Sequence, residues 1–206
     1  MTPAPRGEET GPKAVQAPYP TDGTDFAGAL KHHYTTATKK FLTFFPACVL
    51  LWAQLYLFKN TYLLPVALIG LFGGLISLLA FRQRVALTRR CARVLRTYPL
   101  EFRTPVEKAG QYASHTLFLR LGGGAGTRTL RAKDPLGRPG WPDLAGGIWF
   151  AGDEPFGGVA LVPGTGELLF LQPKRWKDDA QARENAGPDR IRQAARAGIT
   201  RPARYR

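Results

Sequence analysis

FLTFFPACVLLWAQLYLF (residues 41–58) and YLLPVALIGLFGGLISLLAF (residues 62–81), separated only by Lys59, Asn60 and Thr61, decide the fold of this 206-residue chain. The first run carries no charged side chain over 18 residues and the second none over 20. A hydrocarbon layer of about 30 Å takes roughly 20 helical residues to cross, so each run is long enough to span a bilayer. The core helix of a soluble protein would show a polar stripe. Here Gln54 is the only strongly polar side chain inside either run. A three-residue connection makes the two helices antiparallel neighbours, and the expectation is a membrane α-helical hairpin of two transmembrane helices.

The charges around the runs set its orientation. Lys31, Lys39, Lys40, Arg82, Arg84, Arg89, Arg90, Arg93 and Arg96 flank the outer ends, against Lys59 alone in the turn. Basic residues stay on the cytoplasmic side, which predicts a multi-pass protein of the bacterial inner membrane with both termini cytoplasmic. Lipid tails are as apolar as Leu, so close packing must hold the helices together. Ala67, Gly70, Gly74 and Ser77 form a stripe of small residues on the second helix, and Thr43, Ala47 and Gln54 offer a thin face on the first. The two faces meet within the hairpin, or the glycine stripe joins two protomers as a homo-oligomer.

Residues 82–97 (RQRVALTRRCARVLRT) place Val85, Thr88, Ala92 and Leu95 at helical spacing, with no Pro or Gly between them. This segment should prolong the second helix into the cytosol as a basic juxtamembrane helix. Tyr98 and Pro99 end it, because Pro disfavours helix in the residue before it. Arg82, Arg84, Arg89, Arg90, Arg93 and Arg96 have no Asp or Glu among them. Near a surface each attracts an anionic lipid headgroup by about 1 kcal/mol. The chain as a whole has 29 Lys and Arg against 15 Asp and Glu, a net charge of +14. Such a balance draws a protein to nucleic acid or to an anionic membrane. Its concentration beside the apolar runs favours the lipid.

From Leu100 the period changes from helix to strand. Leu100 and Phe102 alternate with Glu101 and Arg103, Leu117, Leu119 and Leu121 with Thr116, Phe118 and Arg120, and Leu130 with Thr129 and Arg131, and further strands are expected at 147–151, 158–162 and 168–171. About six short strands with Gly and Pro turns predict a small all-β cytosolic barrel or sandwich over residues 98–176. Residues 1–27 are too polar to fold and are read as a disordered tail. Residues 177–206 are read as a basic, largely disordered tail with one weak helix near 178–197, interrupted at Gly187 and Pro188.

Chemistry-bearing motifs are few. Gly122, Gly123, Gly124 and Gly126 lack the Gly-Lys-Ser/Thr of a phosphate loop and suit a hairpin turn. His32 and His33 read as an interfacial pair beside Lys31, and His115 has no companion at metal-ligand spacing. Asp153 and Glu154, adjacent in a turn, shape the turn rather than converge on a substrate. Ser77 and Ser114 have no base in a nucleophile context. Cys48 and Cys91 form no disulfide framework, which places the soluble part in a reducing compartment. No catalytic residue, cofactor or metal is assigned, and the chain is not expected to be an enzyme.

WFAGDEPFGGVAL (residues 149–161), followed by PGTGELLFLQP, resembles a pattern in uncharacterised integral membrane proteins of actinobacteria, and the Ala, Arg, Gly and Pro bias is similar to theirs. The resemblance implies a setting, the bacterial inner membrane, and carries over no functional residue. The expected function is a membrane-anchored β interaction domain at the cytoplasmic face, one part of a larger assembly with an unidentified membrane or cytosolic protein. The rival is a membrane-tethered binder of nucleic acid or another polyanion.

Overall fold

In a computed structural model of the chain, residues 25–58, 61–111, 116–122, 128–138 and 140–201 are described. The expected N-terminal tail lies outside them up to Thr24, as do Lys59 and Asn60 of the turn, Ser114, His115, and Gly123, Gly124 and Gly126.

Two long helices, α1 (Phe26–Phe58) and α2 (Leu64–Thr97), run side by side, joined through a short 3-10 turn at Thr61–Leu63. The helix α1 begins 15 residues before the apolar run, so the expected tail stops short of residue 27. Asp25 accounts for this start: its carboxylate accepts the Gly28 N–H at 2.8 Å and satisfies a donor that the first turn leaves open. The second helix takes Pro65 in its first turn, where the missing N–H costs nothing, and runs unbroken through all six arginines. It ends at an extended Tyr98, before Pro99.

Each helix has an apolar and a polar portion. In the most apolar 18-residue window no residue of α1 is buried, and only 17% of that of α2 is. Leu57, Ile69 and Ile76 are 74%, 67% and 67% exposed. These two helices are long and apolar enough to cross a membrane. Toward the other end, Ala29, Leu30, His33 and Ala37 of α1 and Thr88, Cys91, Ala92, Val94 and Leu95 of α2 are buried. Thr88, Ala92 and Leu95 belong to the stripe that the helical spacing picks out.

That polar end packs on an antiparallel sheet with strands β1 (Glu101–Arg103), β2 (Val106–Gln111), β3 (Leu117–Leu121), β4 (Thr129–Lys133), β5 (Ile148–Asp153), β6 (Gly157–Val162) and β7 (Glu167–Pro173). Their order is β1-β5-β6-β7-β4-β3-β2. This is one sheet curled into a half-barrel, neither a closed barrel nor a two-sheet sandwich. The connectivity requires the curl. The two edge strands are joined only by Thr104 and Pro105, a link that reaches about 11 Å at full stretch. The strand β2 (VEKAGQ) goes beyond the six expected, because it is an exposed edge with no apolar alternation to announce it.

The central strands β6 and β7 are buried on both faces. Val159, Leu161, Leu168 and Phe170 face the helices and join Ala29, Leu30, Cys91, Val94 and Leu95 in one core cluster. Ala160, Val162, Leu169 and Leu171 face the inside of the curl, with Leu117, Leu119, Leu130, Ile148 and Phe150.

The expected disorder at 177–206 is corrected as far as residue 201, where the described residues end. Two helices form there, α3 (Ala180–Glu184) and α4 (Pro188–Ala197), and Ala194, Ala197 and Ile199 enter the helix-side core. Gly187 and Pro188 fall at the expected interruption, between α3 and α4, and start α4 with Pro in the first turn, while Gly198 closes it in the left-handed region at φ 73°. Three small or medium apolar residues among many charges are too weak a pattern to announce a docked helix.

Candidate functional site

The helix crossing comes first. Ala67, Gly70 and Gly74 are buried and Ser77 is half-buried. A Cβ on Gly70 would stand 2.6 Å from both the Cys48 carbonyl oxygen and the Trp52 nitrogen, so the two backbones meet here. At Gly74 the same atom would be 3.7 Å from Cys48 Cβ, an ordinary contact. The residues of α1 that these glycines meet are therefore Phe45, Cys48, Leu51 and Trp52, not Thr43 or Ala47; Gln54 is half-buried. Thr43 donates its hydroxyl to the Lys39 carbonyl of its own helix, 2.9 Å away, and stays exposed with Ala47. Phe41 stacks on Phe45 and on Phe81, with centroids 4.7 and 4.6 Å apart, and locks the pair at the edge of the apolar portion.

The six arginines are not gathered into one site. They are strung along a single helix, with Arg82, Arg89, Arg93 and Arg96 exposed and Arg84 and Arg90 half-buried, and none has an ion-pair partner among the described residues. At the far end Arg96 and Thr97 meet Asp189, Arg192, Gln193 and Arg196 of α4 around a cleft of about 600 Å³. Gln193 donates to the Thr97 carbonyl at 3.1 Å and holds the two helices together.

A second cleft, of about 370 Å³, lies on the other side of Gln193 and is lined by Tyr98, Glu101, Arg103, Phe150, Asp153 and Arg190 among others. Asp153 sits in the β5–β6 turn, where Phe156 donates its N–H to the Asp153 carbonyl at 2.8 Å. Gly157 follows with φ 98°, and a Cβ there would run into the Leu171 carbonyl, so the GDEPFGG spacing is a structural requirement of three crowded strands. The Asp153 carboxylate takes a two-pronged grip from Arg190, Nε at 2.9 Å and Nη2 at 2.5 Å, tying α4 to the turn. Tyr98 is 8% exposed and its hydroxyl is buried without a hydrogen-bond partner. Burial first, then the Asp153 charge, push its pKa up to about 12, so the phenol stays protonated as a donor. Both Asp153 oxygens are thus engaged by Arg190 at this cleft, and the neutral Tyr98 hydroxyl is buried beside it.

The third feature joins the helices to the sheet. His33, fully buried, accepts the Leu168 N–H on Nε2 at 3.4 Å, so its proton is on Nδ1, which has no partner. Burial pushes its pKa down from 6.5 to about 4; Asp134 opposes this, while Arg138 and His32 add to it. Asp134 accepts the backbone N–H groups of Leu136 and Arg138, both at 2.9 Å, and Arg138 bridges on to Glu167 at 2.7 Å. The reading of His33 as half of an interfacial pair is thus corrected. At i, i+4 from Ala29 and Ala37 it lies on the buried face, a signal that the long helix makes visible once its start at Phe26 is known. Burial also pushes the Cys91 thiol up and keeps it protonated. Among the described residues no three His, Cys, Asp or Glu are gathered as a metal ion would need. Tyr98, Arg192 and Arg196 carried no sequence signal beyond ending a helix or adding charge.

Compared with known proteins, the chain matches no family model, no curated protein and no solved structure.

Proposed function

We propose that this chain is a two-helix membrane anchor that holds a half-barrel domain at the cytoplasmic face of a bacterial inner membrane, where the domain docks a protein partner in a larger assembly. On the resemblance in residues 149–161 the setting is actinobacterial. The observation that carries the reading is the exposure of the apolar portions: large side chains project outward along about 18 residues of each helix while the other portion is sealed into a core. A bilayer is the medium that covers such a surface at the lowest cost. The work is binding, and no catalytic step is assigned to it.

The continuity of α2 narrows the lipid-facing set. Arg96 lies 14 residues beyond Arg82, or about 21 Å along a helix, more than two screening lengths at physiological salt. Arg82 and Arg84 are left for the headgroups, while Arg93 and Arg96 belong to the domain surface. The cleft of Arg96, Arg192 and Arg196 is the observation that favours the second reading, capture of a polyanion.

Membrane fractions washed with alkaline carbonate test the anchor: the protein should stay in the pellet and leave it only with detergent. Reporter fusions after Arg206 and at Asn60 test orientation, with cytoplasmic and periplasmic activity expected respectively. Release by carbonate, or a periplasmic reporter after Arg206, overturns the reading.

A further inference from the structure

The hairpin has a groove on each side of its crossing, and Cys48 lines both. They are not equivalent. One, of about 230 Å³, is walled by residues such as Phe45, Val49, Trp52, Leu75 and Leu78 and has no charged side chain. The other, of about 470 Å³, runs between Phe44 and Ile76 over Gly73 and Ala80, and its mouth carries Lys40 and Arg84. That volume is in the range of small-molecule sites, ~300–1,000 Å³. Lys40 immediately precedes the apolar run of α1, and Arg84 follows that of α2 by three residues. Neither cation has an ion-pair partner among the described residues. Two half-buried cations on facing helices, closing one end of an apolar channel, call for an anion with an apolar tail.

We propose that this groove is a binding site for one anionic phospholipid, with an acyl chain against Phe44, Gly73 and Ile76 and the phosphate between Lys40 and Arg84. The proposal rests on the membrane reading and goes beyond it, since a bare anchor needs no selective lipid. Depth comes from Gly73: a Cβ there would stand 3.0 Å from Cys48 Sγ and begin to fill the channel. The sequence pointed to a row of arginines as the lipid contacts. The geometry instead pairs one of them, Arg84, with a lysine from the other helix and gives the pair a slot for the chain.

The test uses the full chain, purified in non-ionic detergent, stripped of lipid and offered equal amounts of phosphatidylglycerol and phosphatidylcholine, with retained lipid read by native mass spectrometry. One phosphatidylglycerol per chain is expected. Lys40→Gln with Arg84→Gln should weaken its retention about tenfold or more. Lys39→Gln with Arg93→Gln removes the same charge from outside the groove, Arg93 lying on the domain surface, and should leave retention unchanged. Circular dichroism of both variants confirms that they are folded. Equal retention of the two lipids, or an equal loss in the two double variants, overturns the site. Displacement of the lipid by millimolar inorganic phosphate reduces it to a phosphate site and also overturns the proposal. A dimer mass with no lipid retained would assign the groove to a second copy of the chain. If the protein instead needs no detergent at all, the membrane reading fails on its own terms, before any lipid is added.

Discussion

Replacing Gly70 and Gly74, one at a time, by Ala separates a backbone contact from a merely small residue. At Gly70 the new methyl would lie 2.6 Å from two backbone atoms of α1 and 2.9 Å from Leu51 Cβ, where ordinary contact begins at 3.4 Å. Backbone cannot swing aside as a long side chain does, so the helices must part by close to 1 Å at their nearest point. Overpacking of this kind costs about 1–3 kcal/mol, offset by the ~1 kcal/mol that Ala gains over Gly within a helix. Because both clashes are with backbone, the upper part of that range applies, about 2–3 kcal/mol, and the net loss of about 1–2 kcal/mol corresponds to an apparent Tm lower by roughly 2–8 °C for a chain of this size. At Gly74 the methyl meets Cys48 Cβ at 3.7 Å and a Phe45 ring carbon at 3.9 Å, so the helix gain stands alone and the variant should match or exceed the parent. The assay is thermal unfolding of the detergent-purified protein by circular dichroism, at fixed detergent and protein concentration. A Gly70→Ala variant as stable as the parent, or a Gly74→Ala variant as damaged as Gly70→Ala, would refute the assigned crossing.

Acid should weaken the junction of helices and sheet. His33 takes up a proton less readily folded than unfolded, so its contribution is complete above pH 6.5 and is lost as the pH falls toward about 4. The loss amounts to about 3 kcal/mol at ~1.4 kcal/mol per pKa unit. His33→Leu should abolish that slope and cost about 1–3 kcal/mol at neutral pH, because the Leu168 N–H loses its acceptor; a parallel pH profile for the two proteins would argue against it. Arg190→Ala should loosen α4 by about 1 kcal/mol, a figure discounted because the arginine is 53% exposed although Asp153 is only 11%. Limited trypsin digestion should then release the C-terminal segment sooner, and an unchanged cleavage pattern would count against the tie. Expression of residues 98–201 without the hairpin should yield an aggregating domain, since Val159, Leu161, Leu168 and Phe170 lose the helix side of their core; a monomeric, cooperatively melting fragment would show that the sheet stands alone.

How far the fold could be read ahead depended on how strongly each segment was patterned. Two charge-free runs of 18 and 20 residues leave almost no alternative to paired apolar helices, and the strands at 117–121, 158–162 and 168–171 carry unbroken apolar or alternating character. The signal failed where burial depended on a partner distant in sequence. Gly70 and Gly74 look alike in the chain, yet only one lies against backbone, because the crossing point is set by Cys48 and Trp52 on the other helix. Ala194, Ala197 and Ile199 look incidental among arginines until α2 and the sheet supply the surface they cover. His33 and Tyr98 are the sharpest cases. A histidine beside lysines reads as solvated, and a Tyr before Pro reads as a terminus, but each is buried with one polar atom unsatisfied. Local pattern reports the period of an element and not what its face meets. The polar atoms that ask most for a functional explanation in this protein are therefore the ones the sequence hid best.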